Sequence, residues 1–412
     1  MNLVMLTKFY PYGTGEAFIE NEINVLSQYY NRILVIACEA PETHIIRAVP
    51  QNVTVRKVTG VDRKEKIVDV VKGQLNHIKP SEEFSAELKN CRTLKQKIFL
   101  GYFEGKCQRI YEAIKVNDLL RDFVESPFII YSYWLFMTAR VATYIKNDYD
   151  VKYTFSRAHR YDLYTEKNSI NYLPYRQLFL YTFDRIFPCS VDGEQYLQKC
   201  YPKYKEKVNA ALLGTLDHGL GKSSEDGVFR IVSCSRIVPE KRVERMTEAL
   251  ALIDHKGLNI EWTHIGGGAG FENVKQKTKE QLKNIRYFFL GNILNTKVME
   301  LYMDKPFDVF VNVSSSEGLP VSIMEAISFG MPVIATDVGG TSEIAITGKT
   351  GMLLADDFKN KDLADAIEKF YYKKETDEYR KYRAMCRTYW EKHFQAVANY
   401  KKLHEFIMND IV

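Results

Sequence analysis

The strongest constraint on the fold is an alternation of short apolar runs with longer segments of helical periodicity. The runs have the length and the β-branched and aromatic content of buried strands. After a first strand at residues 2–7, they cover residues 31–40, 127–134, 151–159, 184–190, 229–237, 259–268, 285–292, 307–315 and 331–337. Regular strand–helix alternation predicts parallel sheets with helices on both faces. Because each half of the chain has such a set, we predict two doubly wound α/β domains.

The domain boundaries follow from length and local composition. The chain of 412 residues exceeds what one core usually holds. Residues 213–227 are rich in glycine, serine and charge, as linkers are. We predict a first domain at residues 1–217, a second at 218–385 and an amphipathic C-terminal helix at 386–412. A lysine-rich helical insertion at residues 61–121 belongs to the first domain, either as a solvated helical layer or as a lid or surface for a second substrate.

Charge and cysteine usage exclude several classes of protein. The net charge of +5 is spread among interleaved acids, which argues against nucleic acid as a partner but suits loose contact with an anionic surface. The seven cysteines include no C-x-x-C pair, so we expect a reducing compartment without a zinc site or disulfide framework. The chain begins without the features of a secretory signal, and no run approaches the ~18 apolar residues of a membrane span. We expect a cytoplasmic protein, with transient peripheral contact at the inner face of the membrane as a further hypothesis.

One acidic residue stands in an unusual place, because Glu325 lies within the otherwise apolar run 323–327. An unpaired buried carboxylate costs free energy, so Glu325 needs a specific partner or a wet cleft. The loop at 314–320 follows the strand at 307–315, and ligands in open α/β sheets bind beyond the carboxyl ends of strands. Pro320 suits the first turn of the next helix, where no N–H donor is needed.

This loop combines an anion site with two carboxylates. The amides of Gly318, Leu319 and Val321 should cluster at a helix N-terminus, which attracts anions. Glu317 lies in the loop and Glu325 in the helix beneath it. Two carboxylates would repel a bare phosphate, but each can accept hydrogen bonds from a vicinal diol at either end of a diphosphate. The alternative is a structural carboxylate that caps nearby backbone.

The same stretch resembles the Glu–seven residues–Glu motif of retaining glycosyltransferases of the GT-B fold, the large family of group 1 type. The matching positions are Glu317, Gly318, Pro320, Glu325, Ala326, Gly330, Pro332, Asp337, Gly339, Gly340 and Glu343. The resemblance implies two Rossmann-like domains facing a cleft, with the C-terminal helix crossing back to the first domain. It also implies that Glu325 binds a ribose, that Glu317 touches the transferred sugar, and that the amides of residues 318–321 touch sugar and phosphate.

Two cations follow a strand of the second domain. Arg236 and Lys241 lie across a strand-to-helix turn, where they are either a solvated basic turn or a pair that neutralises a diphosphate. The resemblance implies the second role. Asp148 and Asp150 have the spacing of a metal-binding pair but precede their strand, so we interpret them as surface turn residues. We therefore expect no metal and no cofactor.

Two segments of the first domain resemble parts of the family's site. His159 ends a strand, where a structural histidine is the alternative, and the resemblance implies contact with the sugar near the reacting centre. The family usually has glycine next, whereas this chain has Arg160. Gly13 and Gly15 permit close backbone approach, and their loop resembles the one over acceptor and sugar, although a threonine splits the usual glycine pair. Phe18 replaces the last glycine of a dinucleotide fingerprint, so that site is unsupported.

Two loops of the second domain complete the expected donor site. Residues 264–270, with Gly266, resemble the family's glycine loop near the base. Residues 289–295, with Asn292 and Ile293, resemble the segment whose backbone reads the base.

Together with these features, the resemblance implies a retaining, metal-independent glycosyltransferase of polysaccharide or glycolipid biosynthesis. It would move a sugar from a nucleotide sugar to a hydroxyl of a saccharide or lipid-linked acceptor, and the resemblance implies UDP as the nucleotide, with GDP next. The leaving phosphate would assist the incoming hydroxyl on the same face of an oxocarbenium-like state, and closure of the cleft would exclude water. Alternatives are a nucleotide-sugar epimerase or phosphorylase of the same fold, or a non-catalytic partner subunit that binds nucleotide sugar.

Overall fold

The computed structural model describes residues 1–13, 16–42, 46–59 and 81–411. The chain divides into two compact units. Unit 1 comprises Met1–Leu212 with Tyr400–Val412, and unit 2 comprises Leu213–Asn399. The division therefore falls at residue 212, within a few residues of the boundary expected at 217.

Unit 1 is built on one parallel sheet. Its strands are β1 (Asn2–Thr7), β2 (Arg32–Ala40), β3 (Val53–Thr59), β4 (Phe128–Ser132), β5 (Val151–Ala158) and β6 (Arg185–Pro188). They are ordered β3-β2-β1-β4-β5-β6. β4 is buried throughout because helices cover both faces of such a sheet, which explains its continuous apolar sequence. β3 was not predicted, because this edge strand alternates apolar with polar residues instead of forming an apolar run.

The helices of unit 1 flank this sheet. They are α1 (Ile19–Leu26), α2 (Glu82–Asn90), α3 (Leu94–Val116), α4 (Met137–Asp148), α5 (Arg160–Leu163), α6 (Arg176–Thr182) and α7 (Val191–Cys200). No helix within the described ranges is both long and apolar enough to cross a bilayer.

The predicted insertion at residues 61–121 is described from residue 81 onward, and its earlier part lies outside the described residues. Its helices α2 and α3 belong to the core of unit 1, where Phe103 is buried. The fully buried Arg140 of α4 donates to Glu104 of α3 at 2.8 Å and to Glu83 of α2 at 2.6 Å. These contacts make α2 and α3 a fixed helical layer and argue against a lid.

Unit 2 contains a second parallel sheet. Its strands are β7 (Phe229–Cys234), β8 (Ile260–Ile265), β9 (Arg286–Phe289), β10 (Val309–Asn312), β11 (Val333–Thr336) and β12 (Gly351–Leu354). They are ordered β12-β11-β10-β7-β8-β9. The helices are α8 (Glu244–Ala251), α9 (Phe271–Gln281), α10 (Asn295–Asp304), α11 (Val321–Ser328), α12 (Asn360–Lys373), α13 (Asp377–His393) and α14 (Ala396–Ile411). The central β10 and β7 place their carboxyl ends side by side, which brings the loops carrying the predicted site residues together.

Residues 386–399 remain with unit 2, so the predicted C-terminal segment at 386–412 begins too early. The buried indole of Trp390 donates to Thr215 Oγ1 at 2.7 Å and holds the end of α13 on unit 2. Only from Tyr400 onward does α14 belong to unit 1.

Candidate functional site

The loop after β10 is fixed by side chains on both sides of it. Asn312 accepts from the Ser314 amide at 3.0 Å. Arg242, from the loop after β7, donates to the carbonyl oxygens of Val313 at 2.8 Å and Ser314 at 3.0 Å. The backbone leading to Glu317 is therefore held in one conformation by Arg242 from the loop after the neighbouring strand β7.

Glu317 is a nearly buried carboxylate with two donors. It is 8% exposed, and its Oε1 accepts from Lys241 Nζ at 2.6 Å and from Asn312 Nδ2 at 3.1 Å. The structure thus brings Lys241 and Glu317, both expected in the site, into direct contact. Arg236 lies on the same loop as Lys241 and is exposed, and none of the described residues pairs with its guanidinium.

The backbone between Glu317 and α11 presents open donors. The amides of Gly318, Leu319 and Val321 have no acceptor among the residues that the structure describes. Pro320 is the N-cap and lies before the helix rather than within its first turn as predicted, because its ψ of 105° is extended. The positive end of the α11 dipole adds to these open N–H groups, so this backbone can bind an anion.

A second glycine pair lies beneath this backbone. The Gly340 amide donates to the Gly318 carbonyl at 2.8 Å. A Cβ on Gly339, whose φ is +54°, would lie 2.2 Å from the Glu317 carbonyl oxygen. Only glycine permits this close approach, so Gly339 allows the backbone at Glu317 to pack directly against it.

Glu325 has the specific partner that its apolar surroundings require. It is 6% exposed and accepts from Asn295 Nδ2, at the start of α10, at 2.8 Å. Burial raises the pKa of the Glu325 carboxyl to about 7, against the opposing effect of the Asn295 hydrogen bond. Burial and then the Glu325 charge raise the pKa of the nearby Cys234 to about 12. Glu325 therefore changes protonation near neutral pH.

Asn295 was missed by the sequence reasoning, which stopped at Asn292 and Ile293 of the same segment. The structure uses Asn292 as a brace, since its Oδ1 accepts from the Gly267 amide at 2.8 Å. The Ile293 side chain is 37% exposed beside it. A Cβ on Gly266 would lie 2.0 Å from the Ser235 carbonyl oxygen, so the loops after β7, β8 and β9 interlock.

His159 follows β5 in unit 1 and is 8% exposed. Its ring packs against Tyr133 at 4.9 Å and Trp134 at 4.6 Å between centroids. Both ring nitrogens are buried, and neither has a hydrogen-bond partner among the described residues. Burial, followed by the charge of Arg157, lowers the pKa of His159 to about 3. The imidazole is therefore neutral near pH 7, with one donor and one acceptor nitrogen to offer.

The backbone of His159 is fixed by a carboxylate not singled out from the sequence. Asp162 Oδ1 accepts from the His159 amide and Oδ2 from the Leu135 amide, both at 2.5 Å. Burial raises the pKa of Asp162 to about 7 although these amides oppose the shift. Asp162 thereby joins the ends of β5 and β4 and orients His159 toward its aromatic neighbours.

Glu16 organises the loop after β1 and was also missed. Its carboxylate accepts from the amides of Phe9 and Tyr10, each at 2.6 Å, and from the Trp134 indole N–H. Its backbone φ is +55°, an uncommon value for a residue other than glycine. Gly13 in the same loop has φ +67°, whereas Gly15 lies outside the described residues.

Of the aspartate pair considered for a metal, Asp148 has other partners. Asp148 ends α4 and accepts from Tyr111 at 2.5 Å and from Lys115 at 2.9 Å. Within the described ranges, no cluster of three histidine, cysteine, aspartate or glutamate side chains could hold a metal ion.

Comparisons with known proteins find glycosyltransferases that are similar to part of this chain. Residues 221–387 match the family model described as Glycosyl transferases group 1. The O-antigen biosynthesis glycosyltransferase WbnH of Escherichia coli is 30% identical over 155 residues, which are 38% of this chain and 40% of that protein. The GDP-mannose-dependent alpha-mannosyltransferase of Mycolicibacterium smegmatis is 32% identical over 131 residues, 32% of each chain. The chain thus spans less than half the length of these curated relatives.

The fold has relatives over its whole length. The structure of HepE from Anabaena in complex with UDP-glucose matches 99% of this chain and 100% of its own with a TM-score of 0.65, at 16% identity. That identity supports the fold alone. Together with the two six-stranded parallel sheets, it confirms the predicted α/β architecture of GT-B type.

Proposed function

We propose that this chain, whose residues 221–387 match the family model of group 1 glycosyl transferases, transfers a sugar from a nucleotide sugar to an acceptor hydroxyl with retention of anomeric configuration. The arrangement of two buried carboxylates around an open helix N-terminus carries this proposal. Glu317 lies before the free amides and Glu325 lies in the helix behind them. Such a site provides acceptors for hydroxyls at both ends of a diphosphate and donors for the diphosphate itself.

The donor is assigned to unit 2. Glu325 accepts hydrogen bonds from the ribose diol, and Glu317 accepts from hydroxyls of the transferred sugar. The amides of Gly318 and Val321 donate to the phosphate nearest the sugar. Lys241 and Arg236 supply the positive charge that a departing diphosphate needs, which is the work that a divalent cation does in other transferases.

The reaction breaks the bond between the anomeric carbon and the diphosphate oxygen and forms a bond from that carbon to the acceptor oxygen. Attack on the face that the diphosphate leaves gives retention, and the acceptor proton passes to the departing diphosphate. Glu317 is not assigned as a nucleophile, because its place in the motif puts it beside the hydroxyls of the transferred sugar. Neutral His159 hydrogen-bonds a sugar hydroxyl, and the rings of Tyr133 and Trp134 that pack against it hold the imidazole in place.

UDP is the proposed nucleotide, and a growing saccharide is the proposed acceptor. The bound UDP-glucose of HepE supports UDP, and the name of WbnH supports polysaccharide synthesis. The name of the mycobacterial relative makes GDP the competing donor.

A donor screen tests the proposal. Thermal unfolding is measured with UDP-, GDP- and ADP-sugars, since a ligand that binds the folded state raises Tm by mass action. The active donor is then incubated with saccharide acceptors, and proton NMR gives the anomeric configuration of the first product. An inverted product contradicts retention, and conversion of donor alone to an epimer contradicts transfer.

Contact with an anionic membrane is also proposed, and the exposed side of α3 supports it. Leu94 is 73% exposed and Ile98 48%, one helical turn apart, and Lys95 and Lys97 are exposed beside them. Apolar side chains flanked by lysines suit the surface of an anionic bilayer. Co-sedimentation with anionic vesicles at low salt should be lost in Leu94→Ser/Ile98→Ser. Equal sedimentation of this variant and the wild type contradicts the proposal.

A further inference from the structure

A polar cavity of about 480 Å³ lies in unit 1, between the layer α2–α3, the segment after α5, and the start of α6. Its lining includes Arg176, Arg92, Glu87, Gln96, Tyr172 and Tyr201. None of these residues belongs to the donor site described above. The cavity therefore needs an explanation of its own.

Arg176 is a buried cation without a counterion. It is 4% exposed, and its guanidinium donates to the carbonyl oxygens of Leu135, at 3.3 Å, and of Asp162. Across the described residues, no carboxylate lies within ion-pair distance of it. Burial lowers the pKa of Arg176, and the opposing effects of Tyr201 and of the Asp162 charge do not offset it. Burying a charge in this way is costly unless a partner arrives.

The other buried arginines of unit 1 show how this chain normally handles such a charge. Arg140 and Arg157 are both fully buried. Arg140 pairs with Glu104 at 2.8 Å, and Arg157 pairs with Glu22 at 3.0 Å. Arg176 has no such ion pair among the described residues, and unlike Arg140 and Arg157 it lines the cavity described above.

Hydrogen bonds fix the walls of the cavity, and the Glu87 carboxylate in its described lining is already occupied. Glu87 accepts from Tyr172 at 2.6 Å and from Asn90 at 3.2 Å. Gln96 accepts from the Arg92 amide at 2.8 Å, which fixes the backbone at the mouth. The Arg92 guanidinium itself is exposed and has no partner within the described part of the chain. Two arginines, one deep and one outer, are thus available to a ligand.

We propose that this cavity binds a phosphate group carried by the acceptor, with Arg176 as the inner and Arg92 as the outer cation. Guanidinium groups match the geometry of phosphate oxygens through paired N–H donors. Assignment of the phosphate to the acceptor rests on the proposed function. The cavity also connects to His159, because Arg176 donates to the Asp162 carbonyl and the Asp162 carboxylate holds the His159 amide.

Calorimetric titration of the full chain with glycerol 3-phosphate tests the site. Arg92→Gln and Arg176→Met should each weaken binding by about tenfold or more, the order expected for a lost charge-assisted hydrogen bond. Arg121→Gln is the control, since its side chain is 72% exposed and pairs only with Asp118 and Asp122 among the described residues. If Arg176→Met does not fold, the affinity of the exposed Arg92→Gln variant for glycerol 3-phosphate is the test of the proposal. Unchanged affinity in Arg92→Gln overturns the proposal.

Two further measurements separate the remaining outcomes. The affinity for UDP should be the same in Arg92→Gln as in the wild type, because Arg92 lies outside the donor site. If the wild type binds glycerol 3-phosphate but no nucleotide sugar, the proposed transfer is refuted and the phosphate site is retained. Vesicles of phosphatidylcholine with phosphatidic acid identify the source of the phosphate. Vesicle binding that depends on Arg92 indicates a lipid phosphate, and binding of glycerol 3-phosphate alone indicates a water-soluble acceptor. Binding in neither arm overturns the inference.

Discussion

Lys241 Nζ lies 2.6 Å from Glu317 Oε1, and this ion pair joins the loops that follow β7 and β10. Asn312 donates to the same oxygen, and within the described part of the chain no donor reaches Oε2. The carboxylate is therefore oriented by two donors on one oxygen, while the other oxygen remains able to accept from a ligand. In the proposed reaction Lys241 serves both this carboxylate and the diphosphate.

The first prediction concerns the two cations of the donor site. Lys241→Ala and Arg236→Ala should each lower turnover by roughly 100- to 1,000-fold, with a smaller change in donor affinity, because their charges matter most when the diphosphate departs. The double variant should lose less than the product of the two effects, since both cations act on one diphosphate. Initial rates over a range of donor concentrations measure both quantities.

Lys361→Ala is the control for this experiment. The Lys361 side chain is 74% exposed and forms an ion pair with Asp365, so it matches Lys241 in type without lying in the site. Turnover should also persist in excess EDTA. Loss of activity in EDTA with recovery on adding magnesium or manganese would contradict the assignment of these cations.

The second prediction concerns Glu325. Glu325→Ala should weaken UDP binding by tenfold or more, because each lost charge-assisted hydrogen bond typically costs about 1.5–3 kcal/mol. Calorimetric titration with UDP measures this. Glu272→Ala, on the exposed first turn of α9, should leave the affinity unchanged. A folded Glu325→Ala variant with less than a threefold change would show that Glu325 does not hold the ribose.

The third prediction follows from the pKa of about 7 for Glu325. The ribose diol donates to the carboxylate form, so binding favours loss of the proton and affinity should rise with pH until Glu325 is ionised. Below its pKa the expected slope is about tenfold per pH unit for one proton. The side chain of Glu325→Gln cannot titrate. The pH profile of UDP affinity in this variant therefore shows the titration of the UDP phosphate alone and serves as the reference for the wild type. Parallel profiles for the two proteins would refute the linkage.

The same shift predicts a trend in stability. The folded pKa of Glu325 lies above the ordinary carboxyl value of 4.5, so the folded state holds the proton more tightly than the unfolded chain. The stabilisation is complete below about pH 4.5 and is lost as pH rises toward 7. The difference in Tm between Glu325→Gln and the wild type should therefore increase as the pH is raised from about 4.5 to 7. A constant difference in Tm would contradict the shifted pKa.

The sequence revealed the parts of this fold whose apolar signal is continuous. Strands such as β10 and β11 are buried on both faces and could be read directly. The two strands that were missed, β3 and β12, lie at sheet edges. β3 carries alternating polar residues, and the two central residues of β12 are only partly buried. An edge strand pairs on one side only and can carry more polar residues, whereas the edge strands β6 and β9 lie within apolar runs and were predicted.

The residues of the candidate site also differ in how clearly the sequence marks them. Glu317 and Glu325 were found because a carboxylate in an apolar context is costly and because their spacing is distinctive. Their partners were not found, since Asn295 meets Glu325 across 30 residues of sequence and nothing local marks that contact. Asp162 and Glu16 were missed for a related reason. Their carboxylates bind backbone amides, and any acidic residue near a strand end could do so.

The last prediction concerns Glu16, which we treat as a positioning residue. Its carboxylate holds the amides of Phe9 and Tyr10 and the Trp134 indole, and Trp134 packs on His159 at 4.6 Å. Glu16→Gln replaces one acceptor oxygen by an N–H₂ group that opposes these donors. We expect a lower Tm, a lower turnover and a higher acceptor KM, because the aromatic wall beside His159 loses its support.

Affinity for UDP distinguishes this positioning role from a general loss of structure. The contacts of Glu16 lie in unit 1, whereas the proposed nucleotide contacts lie in unit 2, so Kd for UDP should change by less than about threefold if lost packing is confined to unit 1. Glu82→Gln, an exposed position in the first turn of α2, is the matched control and should leave Tm and turnover unchanged. If Glu16→Gln lowers Tm while acceptor KM and turnover stay at wild-type values, Glu16 stabilises the loop without positioning His159. That result would leave the neutral imidazole to be oriented by Asp162 and the aromatic stack alone.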